Sequence, residues 1–236
     1  MCNKVFLCIG LYFRTNSPSH IDYMMPYLPL FPYTRIFISS KKTMGEAENH
    51  LSGVDEIMAR LVADYGDCPL MEMECLPFHT LTRSIISQQL SAKAAITIQR
   101  RVSQIVPTPF CPDEILAVSI ESLRSAGLSS RKAGYIHCLA EHVVTGRLRF
   151  DELATYPDES VIIALMELQG IGRWTAEMFL IFCFKRLDIL ALGDTGLQRA
   201  ARLLYGENIN LENVGQLWRP YRSVASWYLW RHIDDN

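Results

Sequence analysis

A surplus of positive charge is the first thing this chain lacks. Its 23 Lys and Arg are outnumbered by 25 Asp and Glu, for a net charge of −2. The deficit deepens in the body: residues 1–43 hold five Lys/Arg and one Asp, leaving 18 basic and 24 acidic residues in 44–236, a net −6. Bulk attraction to a polyanion is therefore excluded, and any such contact needs a local basic face and uncharged backbone donors. Paired metal ligands are also missing. The seven cysteines, at 2, 8, 68, 75, 111, 138 and 183, are odd in number and contain no Cys-x-x-Cys spacing. They indicate a reduced, intracellular protein without a cysteine metal cluster. The six histidines form no helical ligand pair, which argues against zinc. No apolar run is long enough to span a bilayer, and no strand ladder or internal repeat is visible. What is present is apolar: 49 % of residues, against 20 % charged, which supports a substantial core and argues against wholesale disorder. The length of 236 residues suits one domain, or one domain plus a tail.

Residues 1–43 differ from the rest. "MCNKVFLCIGLYF" is a short apolar run without a clear small-residue cleavage site, and "MMPYLPLFPY" breaks any periodicity with three prolines. The segment reads as a poorly ordered extension or as a start assigned too early, with Met44 as the alternative start. From Met44 onward the pattern is helical, so residues 44–236 form the folded domain. Apolar spacing predicts helices over 54–66, 78–90, 92–106 (capped by Ser91), a short one from Asp113, then 122–127, 129–146, 159–168, 173–184 and 195–205, with a last helix from Pro220. The expected class is all-α, a compact helical bundle with short connections.

The most informative stretch is "LQGIGRWTAEMFLIF", residues 168–182. The segment 173–184 is apolar on every side, so it reads as a central buried helix. Gln169-Gly170-Ile171-Gly172 joins it tightly to the helix before, as a helical hairpin. The glycines permit positive φ and close approach to bare backbone. The first amides of the second helix lack intrahelical acceptors and form an anion site, for which a backbone phosphate fits. Ile171 can fold back as the apolar anchor. A Gly-rich corner between packed helices explains the same letters without any ligand.

Beyond the hairpin, "LDILALGDTGLQR" (187–199), "LTRSIISQQLSAKAA" (81–95), "LRSAGLSSRKAGYI" (123–136) and "WRPYRSVASWYLW" (218–230) follow in order. Together these motifs closely resemble the helix-hairpin-helix DNA glycosylase superfamily, in its alkyl-purine (DNA-3-methyladenine glycosylase II) branch. The resemblance covers about residues 54–232. It does not cover 1–43, and no additional N-terminal β-rich domain is seen, so the compact form is implied. It implies an active-site cleft between two helical subdomains.

The resemblance also implies a chemistry. The family flips a damaged nucleotide out of the duplex and cleaves the bond between base and deoxyribose. An alkylated purine is cationic and leaves readily, so a strong general acid is dispensable. A fixed negative charge beside the developing oxocarbenium and a base for the attacking water remain necessary. The family aspartate matches Asp194, which also reads as the N-cap of the helix that follows; the two roles are compatible. Asp188 reads as structural. Trp174 stands where bifunctional relatives carry a lysine that forms a Schiff base. The implied enzyme is therefore monofunctional, with the Trp174 indole as a wall for a cationic base. Trp230 is the second implied wall. Met178, where an aromatic is familiar, and Tyr228, on the core stripe with Tyr221, Val224 and Ala225, complete the implied base pocket. Gln89, with Leu90 beside it, matches the residue that fills the gap left by the flipped base. Gly170, Ile171, Gly172, Arg173, Thr175 and Thr195 are the implied DNA contacts, with Arg173, Arg199 and Arg202 supplying local positive charge. No cysteine follows 183, so the iron–sulfur cluster of some relatives is not expected. A monovalent cation at the hairpin carbonyls is compatible, and no other cofactor or metal is implied. The implied partner is double-stranded DNA carrying a damaged base, and the implied form is a monomer away from membranes. The implied location is the cytoplasm or nucleoid of a bacterium, or a eukaryotic nucleus. Two alternatives stay open: the same fold acting on mismatched or deaminated bases, and a non-catalytic DNA-binding module.

Overall fold

In the computed structural model, residues 41–235 are described. The expected extension therefore lies outside the described residues, apart from its last three positions. Those three belong to a helix that runs through the expected boundary: α1 spans Lys41–Val54. Asp55 then caps α2 (Glu56–Tyr65) by accepting from the amides of Ile57 and Met58, and Gly66 closes it at φ 68°. A second group of helices follows: α3 (Pro77–Ser87), α4 (Ala92–Val102), α5 (Pro112–Ala117), α6 (Ile120–Ser125), α7 (Ser130–Val144), α8 (Phe150–Leu153) and α9 (Asp158–Met166). The chain ends with α10 (Arg173–Phe182), α11 (Thr195–Tyr205), α12 (Leu211–Leu217) and α13 (Arg222–Asp235). No strand occurs among the described residues, so the all-α class holds.

The helices fall into two compact units. One comprises the described residues up to Cys75 together with the chain from Arg173 onward; the other is Leu76–Gly172. In the first, Leu51, Met58, Phe179, Phe184, Trp218, Tyr228 and Trp230 are buried, and α10 buries every residue from Thr175 to Phe182. In the second, Leu81, Ile85, Ile86, Ile115, Ile136 and Leu165 form the core.

Side-chain caps set several of the helix starts. Ser91, Ser119 and Ser129 each accept an amide from the first turn of α4, α6 and α7. Three expectations shift. The helix expected over 78–90 stops at Ser87, because Gln88 turns to ψ 135°. The last helix begins at Arg222 rather than at Pro220. The chain is not fully reduced: Cys75 and Cys183, 108 residues apart, form a disulfide with Cα atoms 5.1 Å apart. Rules based on cysteine spacing cannot see partners that only the tertiary fold brings together. Cys68, Cys111 and Cys138 are free.

One buried charge gives the first unit a measurable signature. Lys185, at the end of α10, is 7 % exposed, sits at φ 56° and donates to the carbonyl of Phe182 at 2.7 Å. Burial pulls its ammonium down from the usual 10.5 to about 8. Between these values the unfolded chain holds a proton that the folded chain does not, so stability rises with pH across that window. Urea midpoints of the wild type should therefore gain on those of Lys185→Met as pH increases from 8 to 10.5. Parallel profiles would contradict the burial of the ammonium.

Candidate active site

The loop after α10 is anchored before it reaches the site. Asp188 takes Arg222 at 2.6 and 3.1 Å, in the structural role expected of it. Ser223 accepts from the amide of Ile189 at 3.0 Å and donates to the carbonyl of Arg186 at 2.6 Å. The serine-bearing face of α13 is thereby used to hold this loop. The loop delivers Asp194 to the N-terminus of α11.

Asp194 is 2 % exposed. Its Oδ1 accepts from the Leu197 amide at 2.6 Å, as a helix cap, and from Trp230 Nε1 at 3.0 Å. Its Oδ2 accepts from Trp174 Nε1 at 2.7 Å. These donors come from the first turns of α11 and α10 and from the middle of α13. All are neutral N–H groups, so they orient the carboxylate without cancelling its charge. Trp230 is fully buried and packs on Phe182, with ring centroids 5.8 Å apart. Trp174 is half-buried. Met178, one turn further along α10, is 8 % exposed. Tyr228 is committed elsewhere. It is fully buried, and its hydroxyl donates to the carbonyl of Gly66 at 2.7 Å and meets Glu48 Oε1 at 3.4 Å. Its place on the core stripe puts it to work bracing α1 and α2 rather than at Asp194.

The hairpin turn separates the two glycines by function. Gly170 takes φ 86°, and a Cβ there would lie 2.3 Å from Cδ2 of Tyr135 on α7. Both backbone and packing demand glycine. Gly172 does not adopt a left-handed φ, and a Cβ there would meet nothing within 4 Å. Of the two glycines that permit positive φ, only Gly170 uses it; Gly172 keeps open space on an exposed stretch of backbone. Ile171 is 5 % exposed, in keeping with an anchor, and its amide donates to the carbonyl of Leu168 at 3.1 Å. Arg173 and Thr195 are exposed and Thr175 is buried. Arg173 lies 3.7 Å from Glu177, while Arg199 and Arg202 are exposed on α11.

Between α3 and α4, Gln89 is exposed and holds φ 57°, with Leu90 half-buried beside it. A left-handed glutamine is uncommon and marks a conformation imposed by its surroundings. Among the described residues, no cluster of three His, Cys, Asp or Glu is placed to hold a metal ion.

Comparison with known proteins places this geometry. Residues 82–220 match the family described as HhH-GPD superfamily base excision DNA repair protein. DNA-3-methyladenine glycosylase 1 of Schizosaccharomyces pombe is 35 % identical over 202 residues, covering 80 % of this chain and 87 % of its own. The crystal structure of DNA-3-methyladenine glycosidase from Bacillus halodurans is similar at TM-score 0.70 and 39 % identity, covering 84 % of this chain and 91 % of that one. The S. pombe 3-methyladenine DNA glycosylase in complex with abasic DNA is similar at TM-score 0.71 and 35 % identity, covering 80 % and 97 %. The chain belongs to the HhH-GPD superfamily of base excision DNA repair proteins, in the branch of the DNA-3-methyladenine glycosylases.

Proposed function

We propose that this protein is a monofunctional DNA glycosylase that hydrolyses the N-glycosidic bond of alkylated purines, of the 3-methyladenine and 7-methylguanine type, in duplex DNA. The observation that carries this reading is the buried Asp194 carboxylate, oriented by two indole N–H groups and a helix-cap amide. A fixed anion with neutral donors suits a reaction whose sugar becomes cationic. The leaving base is already positive, so Asp194 stabilises the oxocarbenium and then accepts the proton of the attacking water. Trp174 has no amine with which to form a Schiff base, so the strand stays intact after base loss. The half-buried indole of Trp174, with Met178, receives the flipped base, and Trp230 fixes the carboxylate from behind.

The amides from Gly170 to Thr175 and the open backbone at Gly172 hold a DNA phosphate, with Arg173 and Thr195 as further DNA contacts. Gln89 enters the gap left by the flipped nucleotide, with Leu90 beside it. The protein acts as a monomer without a redox or metal cofactor, and a monovalent cation at the hairpin carbonyls would only strengthen the phosphate contact. It works where the genome is, in a nucleoid or a nucleus.

Single-turnover release of 3-methyladenine and 7-methylguanine from duplex DNA, with strand integrity read without added alkali, tests the reading. Release from an intact strand is expected. Strand cleavage without alkali would remove the monofunctional assignment. Release confined to deaminated or mismatched bases would move the substrate, and tight binding with no release from any of them would leave a non-catalytic DNA-binding module.

A further inference from the structure

We propose that Lys132 is a positioning residue that presets the wedge loop, acting with Gln88, which ties that loop to the hairpin turn. The inference rests on the reading above only in taking Gln89 as the side chain that enters the duplex. Lys132 lies on α7, 44 residues from the loop. Its Nζ donates to the carbonyl of Ile86 at 2.8 Å and to that of Gln88 at 2.6 Å. Both carbonyls sit at the C-terminal end of α3, where no further helical turn supplies a donor and a cation is favoured.

The second of these bonds bears directly on Gln89. The Gln88 carbonyl belongs to the peptide plane that contains the Gln89 nitrogen. With the next plane held by the Leu90 amide donating to the Ser87 carbonyl at 3.3 Å, fixing this one confines Gln89 to its left-handed φ of 57°. Without an external hold, a residue with a Cβ relaxes out of that region.

The same face of α7 also supports the hairpin. Tyr135, one turn beyond Lys132, lies where a side chain at Gly170 would be, 2.3 Å from the position of its Cβ. The Gln88 side chain closes the arrangement by donating through Nε2 to the carbonyl of Gly170 at 2.8 Å. Lys132 holds one loop, Tyr135 underlies the other, and Gln88 joins them, all within the unit Leu76–Gly172. The loop that fills the duplex and the turn that holds phosphate therefore keep one fixed relation before DNA arrives.

The test uses the full chain and a duplex with a tetrahydrofuran abasic analogue opposite 2-aminopurine. Its fluorescence reports whether the gap is filled, and no base need be released. Lys132→Met should lower the preference for this duplex over undamaged DNA by about tenfold, the scale of a misplaced contact group. It should also shift the 2-aminopurine signal as Gln89→Ala does. Lys132→Arg, which can still donate to both carbonyls, should restore both readouts. In a Gln89→Ala background, Lys132→Met should cause no further loss, because it acts through that residue. An equal loss in both backgrounds would make Lys132 a merely structural cap and overturn the proposal. A silent Gln89→Ala would overturn the wedge assignment and this proposal with it. Failure of base release by the wild type would sink only the catalytic reading, since none of these signals depends on it.

Discussion

Asparagine at position 194 is expected to reduce single-turnover base release on the order of a thousandfold, as loss of a fixed transition-state charge does elsewhere, while binding to abasic duplex DNA persists. The substitution is less conservative here than it looks. Three N–H donors converge on the carboxylate, and an asparagine side chain offers only one acceptor atom. The better orientation keeps oxygen at the Oδ1 position, facing the Leu197 amide and Trp230. The amide nitrogen then confronts Trp174 Nε1 at the 2.7 Å now spanned by a hydrogen bond, and two donors cannot share that distance. Trp174 must move, at a cost of about 1–3 kcal/mol for the orphaned pair. The double variant Asp194→Asn, Trp174→Phe removes the opposing donor. It should recover much of the lost stability and none of the lost rate. That split separates charge from pocket geometry. Near-wild-type release by Asp194→Asn would show that the negative charge is not what drives the reaction.

Much of the site was legible in the sequence because single residue types carry local signals. Asp194 precedes an apolar-periodic helix, so its cap role follows from its type and place. Gly170 and Ile171 read correctly as a turn and its anchor. What could not be read was which atom each side chain would spend, and on what. Trp174 offered a ring face for a cationic base; the structure also aims its N–H at Asp194. Trp230 shared a helical face with Ser223, but its contact with Asp194 spans 36 residues. Nothing local encodes that separation. Tyr228 shows the converse: its place on the core stripe was the better guide to what it does, because its hydroxyl is taken up by Gly66 and Glu48.

The same logic governs the fold. Most helices declared themselves by periodicity, but α8 and α12, of 4 and 7 residues, were missed, as was α1 despite its 14 residues. The boundary drawn at Met44 cut through α1, grouping Lys41 to Thr43 with a proline-broken segment, and no helix was read over 44–53. Lys132 was equally hidden. It looks like an ordinary exposed lysine on a serine-capped helix, and its two acceptors are backbone carbonyls, which carry no residue-type signal.

Asp55 is where the largest loss of stability is expected, and nothing in its sequence neighbourhood beyond a capping position announces it. Its Oδ1 accepts the amides of Ile57 and Met58 at 2.8 and 3.1 Å. Its Oδ2 accepts the Tyr205 hydroxyl at 2.7 Å and Trp218 Nε1 at 2.9 Å. One carboxylate therefore ties the start of α2 to the end of α11 and to the residue after α12. Burial, followed by the hydrogen bond to Asp55, pushes the Tyr205 phenol far above its usual range, so it remains a donor at any working pH. Trp218 is fully buried, and an indole N–H has no alternative role as acceptor. Asp55→Ala loses the cap, about 1 kcal/mol, and strands the buried Trp218 donor and the half-buried Tyr205 hydroxyl at about 1–3 kcal/mol each. A total near 4 kcal/mol lowers Tm by roughly 8–16 °C in a domain of this size. Asp55→Asn should fall between wild type and Asp55→Ala, because an oxygen in the Oδ2 position keeps both Trp218 and the Tyr205 hydroxyl, while its amide group faces the two cap amides, which lose their acceptor. Adding Trp218→Phe to Asp55→Ala removes one stranded donor, so the two losses should not add. Base release per folded molecule, measured well below Tm, should be unchanged, since the donors on Asp55 are not those on Asp194. A drop in Tm of less than about 3 °C, the equivalent of roughly 1 kcal/mol, would mean that the indole and phenol find other acceptors in solution and that Asp55 is only a cap.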